Sequence, residues 1–444
     1  MTVEVAEDVW RVQAPHVLAA LLRRSGDLGA CEDAVQEALL AAATQWPADG
    51  IPDNPRGWLV RVASRKLLDR QRSQAARARR EQEVALQGCA DAHAPSADEA
   101  RGGDQDDRVH LLLLCCHPGL SPVSQVALTL RAVAGLTTAQ VAAGFLVPEA
   151  TMAQRVSRAK ATLRRAGASF ERVLPEELPA RLHAVRHVLY LLFNEGYTSS
   201  SGHCAIDPNL TREAIWLTER LHRAIPEDGE STGLLALMLL TAARTPARLT
   251  TTGDLVPLAE QDRGRWDADK IRRGTALLEQ TLVAGPVGPF QLQAAVAGVH
   301  AQARTWAETD WLQICILYRM LNRQAPSPTV TLNLAIAVGM AHGPAAGLGT
   351  LDPLLHDASQ QRNHRLHAAR AHLLEMAGDH RSAVAAYREA ARLTRSIPEQ
   401  RYLNQRLTHW TRNQTNDPTT MTLTPLRQNQ PVLSRIAVYR IPLR

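Results

Sequence analysis

Residues 136–160 read LTTAQVAAGFLVPEATMAQRVSRAK, and this stretch decides how the middle of the chain folds. A helix is predicted over 122–132, after which Gly135, Thr137 and Thr138 supply a turn and an N-cap. A short helix follows, and Pro148 separates it from a longer basic helix predicted over 149–165. The side chains expected to pack these last two helices together are Val141, Ala142, Leu146, Val156 and Leu163. A helix, a short glycine-containing turn and a longer basic helix form a helix-turn-helix arrangement.

The exposed start of the longer helix is the candidate nucleic-acid contact. The positive end of the helix dipole lies there. Arginine side chains at this end can hydrogen-bond phosphates and base edges in the major groove of DNA. The residues placed toward this end are Thr151, Ala153, Gln154, Arg155 and Arg158.

The sign of the charge alternates along the first part of the chain. Residues 1–50 hold eight acidic and three basic side chains, whereas residues 55–80 hold nine basic side chains and one acid, Asp69. Residues 81–107 then hold eight acids against Arg101, and residues 148–172 hold six basic side chains and two acids. A charged run is commonly a solvated helix face, but two basic helical blocks joined by an acidic segment favour nucleic-acid binding.

Three helices are predicted before the acidic segment. The first covers about 12–24, and its apolar stripe consists of Val17, Leu18, Leu21 and Leu22. The second, over 28–45, is amphipathic with an acidic outer face, and the third begins near Arg56. The third helix is expected to expose Arg61, Arg65, Lys66 and Arg72 and to bury Trp58, Leu59, Val62, Ala63 and Leu67. One of its faces is therefore core, and the other suits phosphates or exposed bases.

Two motifs here, EDAVQEA at 32–38 and NPRGWL at 54–59, resemble region 2 of the extracytoplasmic-function sigma factors, specificity subunits of bacterial RNA polymerase. The resemblance implies that Asp33, Gln36 and Glu37 face the β′ clamp of the core polymerase. It also implies that the loop 46–55 and the following helix melt and read the −10 promoter element, where unstacking a base costs a few kcal/mol. The candidate −10 residues are Trp46, Asn54, Arg61, Ser64, Arg65, Lys66, Asp69 and Arg72. Core anchoring is the alternative for Trp46 and the preferred role for Trp58.

The helix-turn-helix resembles region 4 of the same family, through LTTAQVA at 136–142 and PEATMAQRVSRAK at 148–160. This resemblance implies that the helix pair reads the −35 promoter element. The candidate −35 residues are Thr138, Thr151, Ala153, Gln154, Arg155, Arg158 and Lys160. The implied partners are promoter DNA and the core RNA polymerase, through its β′ clamp and β flap, with no membrane.

The acidic residues 81–107 are predicted to form a flexible linker, because they are rich in Ala, Gly, Asp and Ser and lack hydrophobic periodicity. Two roles remain open. The linker is a plain solvated spacer, or it lies in a polymerase channel whose positive walls normally hold the transcript.

The composition of the whole chain favours an all-α fold. Of its 444 residues 45% are hydrophobic but only 4% aromatic, and Ala and Leu dominate, which favours helix packing over β-sandwiches. The net charge is +6, and only three basic residues are lysines. This arginine skew fits either genomic base composition or phosphate binding.

The cysteines and apolar stretches indicate a reduced, cytoplasmic protein. Six cysteines include no C-x-x-C pair, and Cys115, Cys116 and His117 fit buried thiols better than a metal site, so no metal or cofactor is predicted. The first ten residues lack an apolar signal segment. Prolines interrupt both long uncharged stretches, 109–130 and 324–351, which predicts buried helix pairs and no membrane span.

About 270 residues follow region 4, where sigma factors of this group ordinarily end. Helices are predicted over 182–193, 212–223, 234–244, 270–283 and 291–303. Farther on, Gly343 and Gly378 are 35 residues apart, close to the period of about 34 of a tetratricopeptide repeat. Residues at the packing positions of such a hairpin are Ala371, Leu374, Ala383, Tyr387 and Ala390. Stacked hairpins of this kind commonly bind a peptide or protein segment.

The combination resembles the sigma-factor subgroup with a C-terminal tetratricopeptide-like extension, also through FNEGY at 193–197 and LLALMLL at 234–240. The subgroup implies that the extension regulates activity, or is required for it, in place of a membrane-bound anti-sigma partner. The predicted organisation is region 2 at 8–80, the linker at 81–107, region 4 at 108–170, the extension at 175–412 and an irregular tail at 413–444.

An enzyme is not favoured by the sequence. Asn194, Glu195, His203, Cys204 and Asp207 lie close together, but Cys204 has no base at a helical spacing. The chain also has no phosphate-binding glycine loop and no H-E-x-x-H motif. The alternative to a sigma factor is a stand-alone helix-turn-helix regulator whose helical repeats sense a partner. The acidic second helix argues against this alternative, because a simple repressor has no need of it.

Overall fold

The computed structural model describes residues 3–82, 107–145, 147–168, 170, 173, 175–198, 206–283 and 285–415. The central part of the predicted linker, the last 29 residues of the predicted tail, and Cys89, Leu146, His203 and Cys204 lie outside these described residues. The described residues are α-helical with short 3-10 turns and contain no β-strand, only one isolated antiparallel bridge between Leu249 and Leu255. The all-α prediction is confirmed.

The chain divides into two compact units, Met1–Leu189 and Tyr190–Arg444. The helices that belong to the first unit or begin in it are α1 Val3–Ser25, α2 Leu28–Asp49, α3 Pro55–Gln82, α4 Asp107–Cys115, α5 Pro122–Ala132, α6 Thr138–Phe145, α7 Glu149–Arg165 and α8 Leu178–Tyr197.

The first three helices pack against one another around a small apolar core. The predicted stripe of α1 is buried, as are Leu59, Ala63 and Leu67 of α3. Asp27 caps α2 by accepting hydrogen bonds from the backbone N–H groups of Gly29 and Ala30, at 2.9 and 3.1 Å. Arg61, Arg65, Lys66 and Arg72 are exposed as predicted. Trp58 and Val62, predicted to be buried, are only half-buried.

The second helix is longer than predicted. It continues past Gln45 and includes Pro47 in its last turn, before it ends at Gly50. The backbone N–H of Gly50 donates to the carbonyl of Trp46 and closes this turn. A proline inside a helix removes one backbone hydrogen bond and clashes with the preceding turn. Here the helix nevertheless continues through Pro47 for its last turn.

The helix-turn-helix forms as predicted. Helices α5 and α7 have the predicted bounds, and Thr137 caps α6. The Thr137 hydroxyl accepts from the backbone N–H of Gln140 at 3.1 Å, and the Gln140 side chain accepts from the N–H of Thr137 at 2.8 Å. The described members of the predicted packing set are all buried: Val141, Ala142, Val156 and Leu163.

The second unit is a succession of helices that pack on their neighbours along the chain. They are α9 Pro208–Ala224, α10 Gly229–Ala242, α11 Ala268–Val283, α12 Pro289–Gln302, α13 Trp311–Gln324, α14 Pro328–His342, α15 Pro344–His356, α16 His364–Met376, α17 His380–Leu393 and α18 Ile397–Thr415. All five helices predicted between 182 and 303 are present, with α8 as the first of them.

Two helical hairpins lie where the repeat was predicted. Gly343 joins α14 to α15 with φ of +95°, and Gly378 joins α16 to α17 with φ of +81°, backbone conformations that favour glycine. The five residues predicted to pack the second hairpin share one core cluster: Ala371, Leu374, Ala383, Tyr387 and Ala390. The hydroxyl of Tyr387 donates to Glu375 at 2.7 Å across this hairpin.

The described cysteines are packed thiols. Cys31, Cys115, Cys116 and Cys315 are free and buried. Burial raises the pKa of the Cys31 thiol to about 11 and that of Cys116 to about 12. Both thiols are therefore protonated at neutral pH and unreactive.

Candidate nucleic-acid and polymerase interface

The first turns of α7 present the predicted −35 residues to solvent. Thr151, Ala153, Gln154 and Arg158 are exposed, while Arg155 is half-buried. The guanidinium of Arg155 lies over the ring of Phe145, 5.8 Å from its centroid, which holds it beside the start of α7. Thr138 is half-buried in the first turn of α6. Most of the predicted set therefore lies together at the end of α7 that carries the positive dipole.

Lys160 does not lie with the other predicted −35 residues, and its assignment to this set is corrected here. Its ammonium group is 2.6 Å from a carboxylate oxygen of Glu32 on α2, and its side chain is only 18% exposed. The cation is therefore engaged inside the protein in this structure. The helical period of α7 alone gives no sign of this contact, because the partner belongs to another helix.

The exposed face of α3 carries the predicted −10 residues. Arg61, Arg65, Asp69 and Arg72 are exposed, and Ser64 is half-buried between them. Asn54 lies just before the helix, where its side-chain oxygen accepts from the backbone N–H of Gly57 at 2.9 Å. Asn54 thus caps α3, a role that the sequence analysis did not assign.

Trp46 is the second correction. Its side chain is only 1% exposed and packs edge-to-face on Trp58, with 5.6 Å between the ring centroids. A base cannot stack on this indole in the present structure. Trp46 is held in the core because α2 continues through residue 46, whereas the prediction placed it in a loop.

The predicted polymerase contacts lie on α2 beside the basic face of α3. Asp33 and Glu37 are exposed, and Gln36 is half-buried between them. Asp33 pairs with Arg70 at 2.7 Å, and Glu37 pairs with Lys66 at 3.4 Å. All four side chains are 42–49% exposed, so these pairs contribute little stability and are easily exchanged for pairs with another molecule.

Ion pairs also join α2 to the helix-turn-helix within the first unit. Glu32 is 6% exposed and pairs with Lys160 and with Arg131 of α5, the latter at 3.2 Å. Asp27 pairs with Arg164 near the end of α7 at 3.0 Å. Burial raises the pKa of Asp27, but hydrogen bonds from Arg164 and from the backbone of Ala30 and Gly29 outweigh this effect, and the pKa is lowered.

Three of the residues that lie close together between 194 and 207 are described by the structure. Asp207 caps α9 by accepting from the backbone N–H groups of Asn209 and Leu210, at 2.9 and 3.2 Å. Asn194 and Glu195 lie in the last turn of α8, and Gly196 allows α9 to approach closely. A Cβ atom at residue 196 would lie 2.5 Å from the backbone nitrogen of Thr211.

Comparison with known proteins identifies three segments. Residues 11–77 match sigma-70 region 2, residues 110–163 match sigma-70 region 4, and residues 181–282 match a family of unknown function, DUF6596. The probable ECF RNA polymerase sigma factor SigI of Mycobacterium tuberculosis is 34% identical over 151 residues. That match covers 34% of this chain and 51% of SigI.

No solved structure matches the chain. None of the described helices is long and apolar enough to cross a membrane.

Both sigma-70 regions are thus present, in order, in the first unit, and these matches support a sigma factor of the extracytoplasmic-function type. An uncharacterized protein of Rhizobium meliloti, R00370, is 38% identical over 396 residues, or 89% of this chain and 93% of that protein. The chain belongs to the same family as this protein. Because the match covers 89% of this chain, it includes most of the second unit.

Proposed function

We propose that the protein binds core RNA polymerase and directs it to promoters by contacting the −10 and −35 elements. The observation that carries this proposal is the pairing of two exposed surfaces in one unit, the start of α7 and the basic face of α3. Each belongs to the sigma-70 region whose family reads the corresponding element. The protein then acts in the cytoplasm, where the polymerase is, and contributes binding and no catalysis of its own.

Run-off transcription tests this function. Purified protein, core polymerase and a library of promoter fragments are expected to give specific transcripts that are absent without the protein. A stand-alone regulator would instead bind duplex DNA and give no specific transcript with core polymerase. That outcome would replace the proposal with the regulator alternative.

We assign the polymerase contact to α2, through Asp33, Gln36 and Glu37. The support is their grouping on one exposed face, where the existing ion pairs are half-exposed and weak. The double variant Asp33→Ala, Glu37→Ala is expected to lower core affinity by at least about 30-fold, since charged interface contacts cost 2 kcal/mol or more to remove. Fluorescence anisotropy of labelled protein with core polymerase measures this loss.

The matched control is the double variant Asp269→Ala, Glu389→Ala. Both acids lie in the second unit, and each forms an exposed ion pair three residues along its helix. Core affinity is expected to be unchanged. An equal loss in both double variants would show an effect of net charge and would reject the assignment to α2.

For the second unit, we propose regulation of sigma activity through protein contacts by a tetratricopeptide-like arrangement. The positive-φ glycine turns of the two hairpins and the alanine-rich core of the second hairpin support this proposal. Gly347→Val tests it, because a Cβ at residue 347 would lie 2.8 Å from the carbonyl oxygen of Ala335 and force α14 and α15 apart.

The expected result is a several-fold change in run-off transcription without a change in core affinity. Calorimetry of the full chain confirms that the second unit has been destabilised. Unaltered transcription by a variant whose second unit melts earlier would show that this unit has no regulatory role.

A further inference from the structure

The motif FNEGY at residues 193–197 is not used by the proposed function, yet it forms one wall of a cavity in the second unit. Helices α10, α12 and α13 supply the other walls, and the cavity has a volume of about 60 Å³. A cavity of this size has room for roughly four waters or for one small solute. The polar residues that line it are Asn194, Thr198, Thr241, Arg244, Gln293, His300 and the tyrosines Tyr190, Tyr197 and Tyr318.

Arg244 is the only one of these side chains that carries a permanent charge. The residue is 5% exposed, and its Nε is fully buried without a hydrogen-bond partner. No residue that the structure describes forms an ion pair or a hydrogen bond with its guanidinium, and no carboxylate lines the cavity. An unpaired buried charge is strongly destabilising. The arrangement therefore calls for an anionic partner that the described residues do not supply.

The surroundings of Arg244 increase the positive potential. Arg248 donates to the backbone carbonyl of Tyr197, and Arg263 donates to the carbonyls of His300 and Ala303 at 2.7 and 2.6 Å. The cavity therefore lies beside three arginines of one cluster. These acceptors are neutral, and the carboxylates of Glu399 and Glu308 act electrostatically on Arg248 and Arg263, respectively. Arg244 is thus the member of the cluster left to bind an anion.

His300 adds a neutral hydrogen-bonding group. Burial, and then the charges of Arg244 and Arg263, lower the pKa of His300 to about 3, so its imidazole is uncharged at neutral pH. Its Nδ1 is buried and has no hydrogen-bond partner among the described residues. The ring can therefore orient a ligand without adding a second charge.

We propose that this cavity binds a small organic carboxylate, with its carboxylate group on the guanidinium of Arg244. The planar guanidinium fork matches two carboxylate oxygens. One free guanidinium balances one negative charge, which favours a monoanion over phosphate. The remaining wall is apolar or aromatic, from Phe193, Leu237 and Val296, and suits a short carbon chain.

The test uses the full chain and propionate as the probe, with propionamide and inorganic phosphate as comparison solutes. Propionate is expected to raise the melting temperature saturably, because a ligand that binds only the folded state stabilises it. The other two solutes are expected to have no saturable effect. The variant Arg244→Met should weaken propionate binding by about 10- to 100-fold, as expected for loss of a charge-assisted hydrogen bond.

Two further results complete the test. The control Arg272→Met removes a 72% exposed arginine of the same unit and should leave propionate binding intact. Without propionate, Arg244→Met should melt at the same or a higher temperature, because it removes an unpaired buried charge. A lower melting temperature would show that Arg244 is structural and would overturn the proposal. So would equal effects of phosphate or propionamide, or no effect of propionate. None of these measurements depends on polymerase or promoter binding.

Discussion

Glu32 is the residue through which α2 contacts the helix-turn-helix most closely. Its nearly buried carboxylate lies 2.6 Å from Lys160 and 3.2 Å from Arg131, two cations whose side chains are only 17–18% exposed. Glu32→Gln preserves the size of the side chain and removes its charge. We expect this substitution to lower the free energy of unfolding of the first unit by about 2–3 kcal/mol, because two poorly solvated cations lose their counterion. Chemical denaturation of the full chain, followed by circular dichroism, measures this change.

Glu37→Gln is the matched control for Glu32→Gln. Glu37 lies on the same helix and also pairs with a lysine, but at 3.4 Å and with both side chains about half-exposed. The expected loss is below about 1 kcal/mol. Equal losses in the two variants would show that burial does not distinguish the two glutamates.

At the scale of the element, the two ends of α7 have different roles. Arg158 is exposed near its start, whereas Arg164 near its end is held by Asp27 on α2. Arg158→Ala should lower the slope of log affinity for −35 DNA against log salt by about one, because one phosphate contact is lost. Arg164→Ala should leave this slope unchanged. Filter binding at several salt concentrations measures these slopes. Equal slopes for both variants and the wild type would show that the start of α7 does not contact DNA through Arg158.

The elements also show how far sequence reasoning reaches. Local signals located α7 and the turns of the two hairpins, because Pro148, Gly343 and Gly378 act through backbone geometry that belongs to their own position. Lys160 and Trp46 were misplaced for different reasons. The partner of Lys160 is 128 residues away along the chain, and Trp46 required α2 to continue past the proline that follows it. Long-range pairing is not encoded in the period of one helix.

Arg244 illustrates the same limit in the second unit. FNEGY and LLALMLL stand out in the sequence as motifs, but neither indicates a chemical role by itself. The cavity they share with Arg244 and α12 is visible only after four helices come together. A buried arginine without a counterion has no signature in a single sequence.

At the scale of the whole first unit, the ion pairs between α2 and the helix-turn-helix hold the two regions closer together than the two promoter elements lie on DNA. Elements centred at −10 and −35 lie about 25 base pairs apart, or about 85 Å at a rise of 3.4 Å per base pair. In this structure the two regions proposed to read them are joined by side-chain contacts of about 3 Å. Both elements cannot be engaged at once in this arrangement, so the two regions must separate when the polymerase holds promoter DNA.

Energy transfer between dyes at residues 71 and 157 measures this separation. Both positions are exposed, on α3 and α7, and the described native cysteines are buried, so Gln71→Cys and Ser157→Cys can be labelled after Cys89 and Cys204 are replaced by serine. Energy transfer should be high in the free protein and fall sharply with core polymerase and promoter.

High salt should also lower the energy transfer, because salt screens partly exposed ion pairs and the Debye length falls to about 3 Å at 1 M. Glu32→Gln combined with Arg164→Ala should reach the same low transfer at a lower salt concentration. High transfer that persists in a complex active in run-off transcription would show that the two regions read DNA without separating.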